Sequence, residues 1–159
     1  MEPSDPQTPS SPHMCDCSGF FIMTDYSNIP DCFYRVSIKA LVLDAQGKFL
    51  LCREDDNRWD FPGGGYDHTD NSPREALIRE LQEEMGVEMI SMEEYPSYFV
   101  TAKHRKWFFL ANVFYKTILK NLDITPSDEC QEVQFFTPVE AMKLDLFPNV
   151  VAFCEQYKI

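Results

Sequence analysis

Three acidic residues, Glu80, Glu83 and Glu84, place three carboxylates within five consecutive positions, directly after Arg79. On a helix, each like-charged pair three or four residues apart costs about 0.2–0.5 kcal/mol, and a bound cation would remove that cost. Ligands that are all oxygen suit Mg²⁺ or Mn²⁺ better than zinc. The same pattern is also typical of a solvated helix face, so the surrounding sequence has to decide between the two interpretations.

The surrounding residues predict a helix that begins after a glycine loop. Residues 63–65 are three consecutive glycines, which allow backbone angles and close approaches that other residues forbid. The run 72–75 places Ser at the N-cap, Pro at the first helical position and Glu at the third, which predicts a capping box. Gly86 provides the end of the helix. An apolar stripe toward a core is predicted for Leu77, Ile78, Leu81 and Met85.

The flanking sequence predicts strands before and after this helix. A β-branched and aromatic run at 33–43, a turn at 44–47 and a second run at 48–53 predict a hairpin. Strands in one group before and another after a helix favour a mixed sheet packed by helices, an α/β (α+β) class. The further predicted strands are 89–100, 107–115 and 132–136, and the further predicted helices are 139–144 and 150–157.

The segment that carries the carboxylates resembles the Nudix box, G-x5-E-x7-R-E-U-x-E-E-x-G-U with U aliphatic, of the MutT-related hydrolases. The matching residues are Gly65, Arg79, Glu80, Leu81, Glu83, Glu84, Gly86 and Val87. The resemblance extends over roughly 34–157 and implies a Nudix-type α/β/α sandwich with a mixed β-sheet. Asn71 stands where the box has its first glutamate, and we hypothesise that Asp67 or Asp70 supplies a carboxylate nearby.

The resemblance implies Mg²⁺- or Mn²⁺-dependent hydrolysis of a pyrophosphate bond, in a nucleoside diphosphate linked to another moiety or in a nucleoside triphosphate. Glu80 would be a metal ligand or the base acting on water, and Arg79 would orient it. The implied catalytic residues are Arg79, Glu80, Glu83 and Glu132, and the implied metal ligands are Glu80, Glu83, Glu84 and Glu132. The implied substrate-binding residues are Arg53, Gly64 and Gly65.

Several alternatives stay open at this point. Glu132 is equally well an exposed residue at a strand start, and Arg53 a surface arginine. Trp59 is most simply a core or rim aromatic. A non-catalytic nucleotide sensor with the same fold is the main rival function, because function is carried by the site and not by the fold. An isomerase of the isopentenyl diphosphate type is a remote third.

Composition limits the partners and the location. A net charge of −12 repels nucleic-acid phosphates, so we expect a small-molecule nucleotide substrate and consider a nucleic-acid polymer unlikely. The basic cluster 103–107 could meet phosphates at the site entrance. We expect residues 1–17, rich in proline and serine, to be a flexible tail and 18–159 to be one Nudix domain.

The chain has six scattered cysteines and no apolar run long enough to span a membrane. We therefore expect reduced thiols and a cytoplasmic protein without a membrane segment. A zinc site at Cys15 and Cys17 is disfavoured by their spacing. Many proteins that carry the Nudix box are dimers, so a homodimer is possible.

Overall fold

The structure, a computed structural model, describes residues 34–103 and 109–158. The predicted tail, with Cys15 and Cys17, lies outside the described residues, as do 104–107 of the basic cluster. Seven strands and three helices occupy the described part of the chain. The strands are β1 (Tyr34–Leu41), β2 (Phe49–Arg53), β3 (Trp59–Asp60), β4 (Met89–Met92), β5 (Tyr98–Lys103), β6 (Phe109–Leu119) and β7 (Glu132–Phe136). The helices are α1 (Pro73–Met85), α2 (Pro138–Ala141) and α3 (Pro148–Gln156).

The strands form two sheets. In the four-stranded sheet, β6 pairs in parallel with β1 and antiparallel with both β4 and β5. In the three-stranded sheet, the order β3-β2-β7 is antiparallel throughout. The presence of parallel and antiparallel pairs confirms the predicted mixed sheet.

Helices cover both faces of the strands, which makes an α/β/α sandwich and confirms the predicted fold class. Successive side chains of a strand point to opposite faces, so neighbouring residues enter different layers. Ala40 and Leu50 pack in the cluster that contains the α1 residues Leu77 and Leu81. Their neighbours in β1 and β2 pack instead with α3, in a cluster that contains Phe153. Burial on both faces explains why the second half of β1 is an unbroken apolar and buried run.

The aromatic residues concentrate in the layer under α3. Phe153 lies within ring-contact distance of Phe49, Phe61 and Phe114, with centroid separations of 4.7–5.4 Å. Trp59 is buried and meets Phe136 edge-on at 5.0 Å, which confirms its interpretation as a core aromatic. These contacts fix the strand end from which the glycine loop departs.

Three local predictions need correction. The turn after β1 is present, because the Asp44 N–H donates to the Lys48 carbonyl at 2.9 Å. However, β1 and β2 belong to different sheets, and an isolated bridge from Leu43 to Phe49 is what joins the two segments. The prediction of a full hairpin was therefore wrong. The predicted strand 89–100 is two strands, β4 and β5, both on the same edge of β6. Ile78 is 46% exposed and does not belong to the buried stripe of α1.

The other predicted elements are present with shifted ends. The predicted strand 132–136 coincides with β7. The predicted helices 139–144 and 150–157 correspond to the shorter α2 and to α3. Among the described residues, every helix is too short or too polar to cross a membrane.

Candidate active site

The helix that carries the carboxylates is defined by its caps. Ser72 Oγ accepts a hydrogen bond from the Glu75 N–H at 3.2 Å, as the sequence predicts for an N-cap. The Glu75 carboxylate does not return to Ser72, as a full capping box requires, but accepts from the Asn71 backbone and side chain at 3.1 and 2.8 Å. At the other end Gly86 adopts a φ of 68°, the left-handed cap that glycine favours.

Arg79 holds the acidic residues around it. Its Nε and Nη2 donate to the two oxygens of Asp70 at 3.1 and 2.8 Å. Its Nη1 donates to Glu80 Oε1 at 2.8 Å and to Glu83 Oε2 at 3.2 Å, and its Nη2 also reaches the Gly65 carbonyl at 3.1 Å. The bonds to Asp70 and Glu80 raise the pKa of Arg79. The planar guanidinium thus ties the loop to the helix with the fork geometry that a lysine lacks.

Asp70 is the partner of this arginine. Its side chain is 6% exposed, and the bond from Arg79 holds the pKa of the Asp70 carboxyl below its ordinary value. Asn71, at the place of the first box glutamate, is bound to Glu75 instead. Whether Asp70 also replaces the missing glutamate toward a cation stays a hypothesis. In this arrangement its two oxygens are directed to Arg79.

The glycine loop runs beside β1. The Ile38 N–H donates to the Gly64 carbonyl at 2.8 Å, and the Ala40 N–H donates to the Pro62 carbonyl at 2.9 Å. A Cβ atom added to Gly64 would lie 2.4 Å from Glu80 Oε2. A side chain at this position would displace the Glu80 carboxylate, so glycine here leaves Glu80 in its place.

Glu84, the third helix carboxylate, faces the glycine loop. Its Oε2 accepts from the Gly63 N–H at 2.9 Å. Burial raises the pKa of Glu84 to about 7, although the nearby charge of Lys39 acts to lower it. Asp60 and Glu80 add repulsion that raises it further. The positive charge near Glu84 therefore does not fully offset the cost of removing its carboxylate from water.

The negative charges of Glu80, Glu83 and Glu84 favour binding of a divalent cation. In the part of the chain described here, no three His, Cys, Asp or Glu side chains already converge closely enough to hold an ion. Glu80 and Glu83 turn toward Arg79, whereas Glu84 turns toward Gly63. The donors are nevertheless all carboxylate oxygens from one helix, and burial, with added repulsion from Asp60 and Glu80, raises the proton affinity of Glu84. Both properties suit Mg²⁺ or Mn²⁺.

A cleft of about 510 Å³ opens beside Glu80. Arg79 and Glu80 line one side, and Arg35 and Tyr66 are among the other lining residues. The guanidinium of Arg35 lies against Gly65, since a Cβ added there would be 2.7 Å from Arg35 Nη2. Within 34–103 and 109–158 no carboxylate forms a salt bridge with Arg35. The cleft therefore presents a cation suited to phosphate oxygens.

Arg35 was not identified from the sequence. A basic residue near the start of a strand is ordinary, and no local spacing connects it to the glycine loop. The parallel pairing of β1 with β6 and the return of the loop along β1 bring it to the cleft.

Arg53 and Glu132 face each other as a cross-strand pair of β2 and β7. Arg53 Nε and Nη2 donate to Glu132 Oε2 at 3.1 and 2.8 Å, and Nη1 donates to Asn57 Oδ1 at 3.0 Å. The Glu132 side chain is 49% exposed. The structure thus pairs these two residues with each other, and their predicted roles toward metal and substrate stay predictions.

Comparison with known proteins agrees with this geometry. The family model described as NUDIX domain matches residues 33–153, which include the glycine loop, the helix and all the carboxylates above. The chain belongs to the NUDIX family. The predicted family and the predicted Nudix-type fold are therefore confirmed.

The curated relatives of this NUDIX chain include RNA pyrophosphohydrolases. The one from Gluconacetobacter diazotrophicus is 37% identical over 76 residues, which cover 42% of this chain and 43% of the relative. The one from Nitratiruptor sp. is 39% identical over 72 residues, which cover 41% and 46% of the two chains. The chain thus spans less than half the length of these relatives. Their names give no support to the expectation, drawn from net charge, that a nucleic-acid polymer is an unlikely partner.

Solved NUDIX structures show the same fold. A MutT protein from Methanosarcina mazei Go1 superposes with a TM-score of 0.65 at 23% identity, covering 79% of this chain and 94% of that one. The NUDIX domain of Shewanella oneidensis NrtR, complexed with ADP ribose, superposes with a TM-score of 0.60 at 19% identity, covering 78% and 86%.

Proposed function

We propose that this NUDIX chain is a pyrophosphohydrolase that uses Mg²⁺ or Mn²⁺ to cleave a pyrophosphate bond in a nucleotide substrate. The observation that carries the proposal is the position of Glu80 and Arg79 at the wall of a cleft that also presents Arg35. The substrate would be a nucleoside diphosphate linked to another moiety or a nucleoside triphosphate.

Glu80, Glu83 and Glu84 would hold the cation. When bound, such a cation neutralises the pyrophosphate charge and makes water more acidic, which are the two main difficulties of attacking a polyanion. Glu80 is the candidate to accept a proton from the attacking water, because its carboxylate lies at the cleft and keeps one oxygen, Oε2, outside its bond to Arg79. Arg79 orients Glu80 through Nη1 while Asp70 holds the other edge of the guanidinium.

Substrate phosphates would be bound from the other wall of the cleft. Arg35 offers a guanidinium, whose donors match two phosphate oxygens at once. Gly65 lines the cleft and carries no side chain, so a phosphate could approach its backbone closely. The space beside Gly64 is taken by the Glu80 carboxylate, and its substrate contact stays a prediction. A role for Arg53 requires that substrate compete with its ion pair to Glu132, an exposed pair of the kind worth at most about 1 kcal/mol.

A second candidate substrate is the 5′-terminal triphosphate of an RNA. It is favoured by the printed names of the curated relatives, RNA pyrophosphohydrolases. A terminal triphosphate presents its charge locally to the cation and to Arg35, so the repulsion of the acidic chain for an extended polymer weighs less.

The three cysteines of the described region are free thiols, which supports the cytoplasmic location proposed with this function.

The test is release of phosphate or pyrophosphate with Mg²⁺ over a panel of nucleoside triphosphates, ADP-ribose and a short 5′-triphosphorylated RNA. We expect turnover of at least one substrate, lost in Glu83→Gln. Glu88→Gln is the matched control, because Glu88 is an exposed glutamate that pairs with Lys120. If no member is turned over while a nucleotide binds tightly, the non-catalytic sensor is the correct interpretation.

A further inference from the structure

Lys39 is a buried cation in β1. Its side chain is 8% exposed, and Nζ donates to Asp60 Oδ2 and to the Phe61 carbonyl, both at 3.0 Å. Its third bond is to the Gly63 carbonyl. The three donors of the ammonium group are therefore all used on the segment that leads into the glycine loop. Burial acts to lower the pKa of Lys39, but the carboxylates of Asp60 and Glu84 outweigh it and raise the pKa.

Gly63 connects this lysine to the helix carboxylate. Its carbonyl accepts from Lys39, and its N–H donates to Glu84 Oε2. Its φ of +101° and the 2.4 Å separation between an added Cβ and the Ile38 carbonyl oxygen leave room for glycine alone. The Gly63 N–H belongs to the Pro62–Gly63 peptide unit, whose carbonyl accepts from the Ala40 N–H at 2.9 Å. Lys39 holds the peptide units on both sides of it, through the Phe61 and Gly63 carbonyls, so removal of Lys39 would free the backbone that sets the direction of the Gly63 N–H.

Asp60, the carboxylate that pairs with Lys39, is itself held in place. Asp60 Oδ1 accepts from the Phe61 N–H at 2.7 Å and from Asn149 Nδ2 at 2.6 Å. Asn149 belongs to α3 and is 1% exposed. The lysine is thus anchored by a carboxylate that is itself anchored to a helix of the opposite layer, which gives the link to Glu84 a rigid base.

We propose that Lys39 is a positioning residue for the hydrolysis: through Gly63 it holds the Glu84 carboxylate in the orientation in which it binds the divalent cation. The inference rests on the proposed function. It differs from a purely structural role, in which Lys39 only neutralises the buried Asp60 carboxylate. Outer-shell residues of this kind change metal affinity or activity by about 10- to 100-fold when they are removed.

The test compares Lys39→Met with the double variant Lys39→Met/Asp60→Asn and with Asp60→Asn alone. For each full-length protein, Mn²⁺ binding is measured by titration calorimetry without substrate, together with kcat, KM and the thermal midpoint. In Lys39→Met we expect Mn²⁺ affinity and kcat to fall by about 10-fold or more, with KM changed by less than about 3-fold. The double variant should regain thermal stability, because Asp60 no longer leaves an unpaired buried charge, without regaining Mn²⁺ affinity.

Asp60→Asn keeps the bond from Lys39 to Gly63, so its Mn²⁺ affinity should stay within about 3-fold of wild type, well short of the loss expected when that bond is removed. Lys48→Met is the matched control, because it removes an ammonium from an exposed pair with Glu140. Wild-type affinity in the double variant, or an equal loss in Asp60→Asn, would overturn the inference. If Lys39→Met does not fold, the double variant, in which Asp60 leaves no unpaired charge, decides in its place. Absence of both Mn²⁺ binding and turnover in the wild type would instead refute the proposed function.

Discussion

Replacement of Glu84 by glutamine should stabilise the metal-free protein at neutral and higher pH while removing its activity. The physical reason is burial, which raises the pKa of Glu84 from 4.5 to about 7. Between these two pH values the folded protein binds more protons than the unfolded chain, so the contribution of Glu84 to stability falls as pH rises. A shift of this size corresponds to about 3 kcal/mol at most, fully expressed above pH 7.

Glutamine keeps an oxygen that can accept from the Gly63 N–H and has no charge to desolvate. We therefore expect Glu84→Gln to exceed wild type by about 1–3 kcal/mol in unfolding free energy at pH 8, and by almost nothing at pH 4.5. Glu54, whose pKa burial also raises to about 7, is present in both proteins and cancels in the comparison. The attraction of Lys39 acts to lower the pKa of Glu84 and is already contained in the net rise to about 7, so it is not subtracted a second time.

The assay is urea unfolding in chelator at several pH values, with Glu83→Gln as the matched control. The Glu83 side chain is 59% exposed, so its replacement should change stability by less than about 0.5 kcal/mol at any pH. Addition of Mn²⁺ should stabilise the wild type and reverse the order of stability with Glu84→Gln. A difference that does not vary with pH, or a less stable Glu84→Gln at pH 8, would refute the reasoning.

Three further predictions concern the rest of the site. Arg79→Ala should lower kcat by about 10- to 100-fold, and Arg79→Lys should not restore it, because a lysine cannot bridge three carboxylates with a fork. Gly64→Ala should lower kcat far more than Gly65→Ala in steady-state assays. The added Cβ meets the Glu80 carboxylate, the proposed base, in the first case and the Arg35 guanidinium, the proposed phosphate-binding group, in the second, so Gly65→Ala should act mainly on KM. Glu132→Gln should change stability by less than about 1 kcal/mol in urea unfolding, because its ion pair is exposed. A fall in its kcat of about 10-fold would mark a catalytic or metal-binding role, and an unchanged kcat would leave only a surface pair.

The box helix could be predicted from the sequence because its signals are local. Ser72, Pro73 and Gly86 act on backbone groups a few residues away, and the four-residue spacing of Leu77 and Leu81 defines a buried face without knowledge of what covers it. The helix, its carboxylates and the strand β7 therefore lie where the pattern placed them. Ile78 is exposed although it lies next to the predicted stripe, because tertiary packing decides how far around the helix burial extends.

Tertiary structure decided the contacts that make a site of these residues. The assignment of β1 and β2 to different sheets depends on pairing with β6 and β7, segments more than 60 residues away in sequence. The same pairing buries Lys39 beside the glycine loop and brings Arg35 to the cleft. A lysine or an arginine in a strand gives no local sequence signal that predicts either position. Asp70 binds Arg79 because the loop folds back onto the helix. The sequence by itself determined the chemical groups and the helix that carries them, since those depend on near neighbours. Their partners depend on long-range packing, so only the folded chain reveals which charges meet.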